Sequence, residues 1–209
     1  MTLTQKTYTG IGTNGWIAGG YSAPARADLS EFQTLAGRVV EDLPYGSRVL
    51  EVASGAGLLA VELAKAGYNQ ITALDDSRAS VESARRYVDR EGVAVRVRQG
   101  DYSAMPFPDE RFERVVCRTA IHNFLQPLGV LKEIHRVLKP GGSALIVDVP
   151  EDSSFLSQLA FRTLLRHRVC STERFQQLAL ESGFAKCTLV EKETGFEAWV
   201  EKEPESERN

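Results

Sequence analysis

The stretch Val49–Gly67, VLEVASGAGLLAVELAKAG, constrains this chain more than any other. An apolar run of strand length meets two glycines separated by one residue, and a helical pattern follows at once. Glycine accepts positive φ and lets another molecule approach the backbone closely. The helix behind such a turn points its first amides at the same space. GAGLLA also fits G-x-G-x-x-[GA] with Ala60 in the third place, and Asp75 stands 20 residues after Gly55, where an acid can meet a ribose. Taken alone, this fingerprint does not separate nicotinamide enzymes from other nucleoside binders, and a plain strand-to-helix turn explains a lone Gly-x-Gly equally well.

The rest of the chain repeats the strand-then-helix pattern. Before it, residues 1–27 are rich in Gly, Ser, Thr and Ala, with Trp16 and Tyr21 as candidate anchors. From Asp28, DLSEFQTLAGRVVEDL places Leu29, Phe32, Leu35, Val39, Val40 and Leu43 near one helical face. RVLEVA is then a strand, Gly57 to Ala66 a helix with Gly67 as its stop, and QITALD a second strand. Ser77 caps a helix to about Glu91. VAVRVRQ alternates strictly, as a half-exposed edge strand does. MPFPDE is a loop, RVVCRTA a fourth strand, and Pro127 to Leu138 a helix ended by KPGG. SALIVDV is a fifth strand, and residues 150–170 form an irregular insertion. Ser171 or Thr172 caps a further helix, and CTLVEK and FEAWVEK close the chain as an antiparallel pair, leaving a polar tail.

Strands alternating with helices predict a mostly parallel sheet covered on both faces, with its ligand beyond the carboxyl ends of the strands. A net charge of −3 gives no attraction to nucleic acid or to an anionic bilayer. No apolar run approaches the roughly 18 residues that span a membrane. The N-terminus lacks a basic region followed by an apolar stretch, so no secretory signal is expected. Cys117, Cys170 and Cys187 are far apart, which predicts neither a disulfide framework nor a zinc site but reduced thiols in the cytoplasm.

Glu51 sharpens the reading. It interrupts the apolar strand four residues before Gly55. A carboxylate there receives a cationic group or orients the glycine loop, whereas an anionic pyrophosphate would be repelled. Asp101 follows the third strand and begins GDYSAMPFPDERFERVV, and LKEIHRVLKPGGSALIVDV leads into the fifth. With E-x-x-x-G-x-G at Glu51, Gly55 and Gly57, and acids at Asp75 and Asp101, the chain resembles the class I S-adenosylmethionine-dependent methyltransferases of small-molecule type from about Asp28 to Lys202. MPFPDERFERVV and LKEIHRVLKPGG are similar to two further stretches of that family. Two departures stand out. Ala53 and Ser54 replace the usual small-Cys pair of the turn, and Glu113 replaces an aspartate, away from the cofactor.

The resemblance implies a doubly wound, Rossmann-like α/β fold with a seven-stranded, mostly parallel sheet of order 3-2-1-4-5-7-6, strand 7 antiparallel. Residues 28–202 would be the methyltransferase domain, 1–27 a lid segment, 150–170 an acceptor-side insertion and 203–209 a disordered tail. It implies S-adenosyl-L-methionine as cofactor and S-adenosyl-L-homocysteine as product, with no metal. Ala53, Ser54, Gly55 and Gly57 would underlie the methionine and ribose portion, with Glu51 on the ammonium. Asp75 would take the ribose hydroxyls, with Ser77 capping the next helix. Asp76 would lie near the adenine, Asp101 would accept from its exocyclic amine, and the Tyr102 amide would donate to a ring nitrogen. Arg118 and Thr119 would line the methionine end, and Tyr21 would reach in from the lid. Structural alternatives stay open for Glu51 (holding the loop), Asp75 (helix capping) and Asp101 (a loop turn).

His122 is the one candidate general base, but lining the acceptor pocket or a structural role explains it equally. His135, beside apolar helix positions, is read as structural. Arg162 and Arg166 share a helical face beside His167 and Arg168, and either receive an acidic acceptor or form a solvated surface. Trp16, Tyr21, Phe124, Phe155 and Phe161 supply either an acceptor pocket or lid packing. The expected partner is a small-molecule acceptor, not nucleic acid or membrane: the segment RTAIHNF has no proline where enzymes acting on DNA or protein amides carry an Asn/Asp/Ser-Pro-Pro-aromatic run. The competing function is a cofactor-binding fold that acts as a scaffold or catalyses a rearrangement without methyl transfer. A nicotinamide oxidoreductase is disfavoured by Glu51 and by the closing strand pair.

Overall fold

The computed structural model describes residues 29–118, 121, 124, 126–148, 171–192 and 195–207. Helix α1 (Ser30–Val40) precedes β1 (Val49–Val52), α2 (Leu58–Lys65), β2 (Ile71–Asp75), α3 (Arg78–Glu91) and β3 (Val95–Gln99). Strand β4 (Phe112–Arg118), α4 (Pro127–Val137), β5 (Leu138–Asp148), α5 (Thr172–Glu181), β6 (Lys186–Lys192) and β7 (Gly195–Glu201) follow, with a 3-10 turn at Glu205–Glu207. The sheet has seven strands in the order β3-β2-β1-β4-β5-β7-β6, the expected doubly wound arrangement. Strand β7 runs antiparallel to both of its neighbours, pairing β5 through Leu145 and Trp199 and β6 through Leu189 and Ala198.

Strand periodicity sorts the core into two layers. Along β1, Leu50 and Val52 join Val115, Cys117, Ile146, Leu131, Ile134 and Phe175 on the face covered by α4 and α5. Val49 joins Ala73, Val116 and Leu145 on the opposite face, with Leu35, Val39, Leu59 and Leu63 of α1 and α2. All four residues of β1 are buried, as a central strand covered on both faces requires. Glu51 is therefore a carboxyl inserted into a dry layer. Strand β3 lies at the sheet edge, as its alternation predicts, with Val95 and Val97 turned to the helices and Arg96 and Arg98 exposed.

The boundary before the fifth strand differs most from the expectation. KPGG was read as ending the helix before a strand at Ser143, but β5 already begins at Leu138. Leu138 pairs with Phe112, the register then shifts, and pairing resumes from Ser143 opposite Arg114. The Pro-Gly-Gly segment is thus an irregularity inside the strand, with Gly141 at φ 71°. A Cβ on Gly142 would sit 2.9 Å from the Lys139 carbonyl oxygen and 3.0 Å from that of Glu113, so the sheet closes there only over glycine.

The family-like stretches around this point are structural clasps. Glu113 accepts the Arg48 amide at 2.7 Å and pairs with Lys139, joining the amino ends of β1, β4 and β5 away from the candidate site. Arg136 grips the MPFPDE loop: it donates to the carbonyls of Phe107 at 2.8 Å and Met105 at 3.1 Å and pairs with Asp109 and Glu133. His135 packs edge-on against Phe184, consistent with a structural role. Among the described residues, no helix is long and apolar enough to cross a membrane.

Candidate active site

The carboxyl rim gathers most of the residues singled out from the sequence. The turn after β1 starts as an extension of the ladder, with the Ser54 amide donating to the Leu74 carbonyl at 3.1 Å. It then bends through three left-handed residues, Ala53 (φ 58°), Gly55 (φ 55°) and Gly57 (φ 78°). Gly57 is doubly required: besides its φ, an added Cβ would lie 3.1 Å from the Cβ of Ala84 on α3. Ala53 adopts the same hand with a methyl group, which costs about 1–2 kcal/mol. No side chain caps α2 behind the turn.

Glu51 lies beneath this turn, 4% exposed. Its Oε2 atom is buried without a hydrogen-bond partner. Burial pushes its pKa up from 4.5 to about 8; the Ala60 amide opposes this, neighbouring Asp75 adds to it, and the charge of Arg118 opposes it. The Ser54 hydroxyl is likewise buried without a partner.

Asp75 ends β2 and is also buried. Its Oδ2 accepts the Gly55 amide at 2.8 Å and its Oδ1 the Ser77 amide at 3.0 Å. Burial raises its pKa, and these two amides pull the other way. The Ser77 side chain accepts from the Ser80 amide and caps α3, as read from the sequence. Asp101 accepts both the amide and the hydroxyl of Ser103 through Oδ1, each at 2.7 Å, which is the loop-turn alternative. A carboxylate has more acceptor sites than either aspartate uses here.

Tyr102 spans the rim by its side chain. Its hydroxyl accepts the Asp76 amide at 3.0 Å and donates to Asp76 Oδ1 at 3.1 Å, while its ring meets Phe124 at a centroid distance of 5.1 Å. Burial, first, and then the charge of Asp75 hold the phenol protonated. The side chain of Tyr102, and not only its amide, is thus part of the rim. Arg118 ends β4 and reaches α1, donating to Glu31 at 3.1 Å and lying over the Phe32 ring. Glu31 and Phe32 were not identified as rim residues, and no local pattern could have done so, because Glu31 lies 87 residues from Arg118.

Tyr21, Thr119 and His122 lie outside the described residues, as do Trp16, Phe155, Phe161 and the cluster Arg162, Arg166, His167 and Arg168. Among the described residues, no group of three or more His, Cys, Asp or Glu could hold a metal ion. Cys117 is buried, and burial raises the pKa of its thiol. A groove of about 680 Å³ lies at the opposite, amino rim, lined by Asp109, His135, Arg136 and Lys202 among others. There the Lys202 ammonium donates to the His135 and Leu138 carbonyls at the end of α4, so this end of the sheet is occupied with closing a helix.

Residues 50–146 match the family described as a methyltransferase domain. A demethylmenaquinone methyltransferase from Deinococcus radiodurans is 33% identical over 121 residues, 57% of this chain and 50% of that protein. The chain thus matches about half the length of that relative. Among solved structures, the YcgJ protein from Bacillus subtilis superposes with a TM-score of 0.64 at 26% identity, covering 77% of this chain and 70% of that one. A putative S-adenosyl-L-methionine-dependent methyltransferase from Methanococcus maripaludis gives a TM-score of 0.76 at 21% identity, covering 98% of each chain. The last is a likeness of fold. The family resemblance read from the motifs holds over the matched domain.

Proposed function

We propose that this chain, whose residues 50–146 match a methyltransferase-domain family, transfers a methyl group from S-adenosylmethionine to a small-molecule acceptor. The observation that carries the reading is the buried, unpartnered Oε2 of Glu51 under a left-handed glycine turn. A carboxyl so placed is stabilised in its charged form by a ligand ammonium. An anionic pyrophosphate supplies no such partner.

S-adenosylmethionine, when bound, supplies a methyl group on a sulfonium that is already electrophilic. The chain's task is then mainly positioning and exclusion of water. Glu51 takes the ammonium, directly or through a water. Ala53, Ser54, Gly55 and Gly57 present backbone to the ligand without a bulky side chain in the way. Asp75, already fixed by two amides, offers its remaining lone pairs to the ribose hydroxyls. Asp76 and Ser77 flank that position. Asp101 and the amide of Tyr102 read the adenine edge, while Arg118 and Thr119 face the methionine end and Tyr21 closes from the N-terminal segment. His122 lines the acceptor side and serves as general base where the acceptor must lose a proton. The name of the Deinococcus relative makes quinone-like rings the first acceptors to screen.

Thermal unfolding tests the reading. S-adenosylhomocysteine at about 100 times its Kd should raise the melting temperature by roughly 5–10 °C, and NAD should leave it unchanged. A shift with NAD and none with S-adenosylhomocysteine overturns the assignment. Metabolite extracts incubated with labelled methyl donor should then yield a labelled product with the native chain. None should form with His122→Ala if that residue is the base, although this variant should keep the thermal shift.

A further inference from the structure

The candidate site is tied to the first turn of α1 by the ion pair of Arg118 with Glu31. The two partners differ in how firmly they are held. The side chain of Arg118 is 15% exposed and that of Glu31 is 65% exposed. The guanidinium carbon lies 4.8 Å from the centroid of the Phe32 ring, which fixes the plane of the cation. Glu31 stands on the open surface of a helix, in contact with water. A pair with one partner so exposed adds little net stability. The cation is thus pre-organised, and the carboxylate on it is easily exchanged.

The register of the sheet places this cation relative to Glu51. Glu51 is opposite Val116 on the neighbouring strand. Arg118 lies two residues beyond Val116, so its side chain leaves the same face of the sheet, towards the carboxyl rim. The charge of Arg118 is felt at Glu51, where it favours the ionised carboxyl. One face of the rim therefore presents an anion with an unpartnered oxygen and, one step along the next strand, a positioned cation. An α-amino acid carries an ammonium and a carboxylate on a single carbon, the complementary pair.

We infer that Arg118 anchors the α-carboxylate of the ligand's amino-acid end, and that Glu31 is an internal carboxylate which holds this anchor until the ligand displaces it. The inference rests on the reading of the rim as an S-adenosylmethionine site, and it adds two properties to it. Arg118 makes the site selective for ligands that keep the amino-acid end. Glu31 competes with that end, so each binding event breaks the ion pair between the first turn of α1 and β4.

Calorimetric titration of two ligands tests it. S-adenosylhomocysteine has the amino-acid end, and 5′-methylthioadenosine has the same adenosine and thioether without it. Arg118→Met should weaken S-adenosylhomocysteine at least about tenfold, the loss expected for a charge-assisted hydrogen bond. It should change 5′-methylthioadenosine by less than about twofold. Glu31→Gln should tighten S-adenosylhomocysteine by about two- to fivefold, the range of an exposed ion pair, and leave 5′-methylthioadenosine unchanged. If Arg118→Met weakens both ligands alike, or Glu31→Gln leaves the preference between them unaltered, the inference is wrong. Should Arg118→Met not fold, Glu31→Gln decides alone, since Glu31 lies outside the core. Failure of the native chain to bind either ligand overturns the site assignment itself, whereas binding of both with unaltered preference in the variants overturns only the roles of Arg118 and Glu31.

Discussion

Asp75 holds Gly55 in place: its Oδ2 accepts the Gly55 amide at 2.8 Å, and its Oδ1 accepts the Ser77 amide at 3.0 Å. One buried carboxylate therefore sets both the turn after β1 and the start of α3 after β2. The turn is shaped before any ligand arrives, so binding need not order it.

Asp75→Asn removes the charge and turns one acceptor oxygen into a donor facing a backbone N–H. A loss of about 2–3 kcal/mol is expected for breaking a buried, charge-assisted arrangement of this kind. Urea denaturation measures it. The melting shift with S-adenosylhomocysteine should disappear in the same variant, because the glycine turn and the ribose acceptor are lost together.

Glu51 predicts a pH dependence. Its folded carboxyl keeps a proton to about pH 8, against an ordinary value of 4.5. Between these values the folded state binds one proton more than the unfolded chain. Stability of the ligand-free protein therefore falls as pH rises through this window, by at most about 1.4 kcal/mol per pH unit from this group, and the loss is complete above it. Glu51→Gln lacks the titrating group. Its stability relative to the native chain should rise steadily from about pH 5 to pH 8. A difference independent of pH would show that Glu51 does not titrate in this way.

Ala53 has φ 58° at a position that glycine occupies without strain. Ala53→Gly relieves about 1–2 kcal/mol of left-handed strain but loses up to about 1 kcal/mol to the greater freedom of the unfolded chain. The net effect on the melting temperature should be neutral to slightly positive. Ala53→Val should be destabilising by at least about 2 kcal/mol, since a β-branched side chain tolerates this φ least. Equal stability of the two variants would contradict the backbone argument.

Arg136 and Glu133 form a clasp whose removal should affect stability alone. Glu133 accepts the Met105 amide at 2.6 Å while Arg136 binds the Met105 and Phe107 carbonyls. Arg136→Met should cost about 2–3 kcal/mol by leaving these groups unpaired. The affinity for S-adenosylhomocysteine should stay within about twofold. Because its partners lower the pKa of Glu133, its contribution is present above pH 4.5 and should fade as pH falls through the depressed folded value.

Much of the fold was legible because its signals are local. Alternating helix and strand periods announce a parallel sheet, and strict alternation marked β3 as its edge. Ser77 was readable as a cap because capping acts over three residues. Pro140-Gly141-Gly142 was misread for the same reason. Its composition signals a break, but the partner strand β4 pairs on both sides of it and keeps it within β5. Phe32 read only as an apolar face residue of α1, because nothing nearby in the chain says that Arg118 will lie over its ring.

Glycine spacing, strand parity and the order of the acids determined that Glu51, Asp75 and Asp101 would come to one rim of one sheet. Those are properties of neighbouring residues, set by φ preference and by the two repeats of the backbone. Which carboxyl oxygens would be spoken for was decided only on folding: Asp75 is bound to the turn after β1 and to Ser77, Asp101 is bound to Ser103 of its own loop, and Glu51 retains an unpartnered oxygen. Hydrogen-bond partners and loss of water depend on what packs from 20 to 87 residues away, and no local pattern in a chain encodes that.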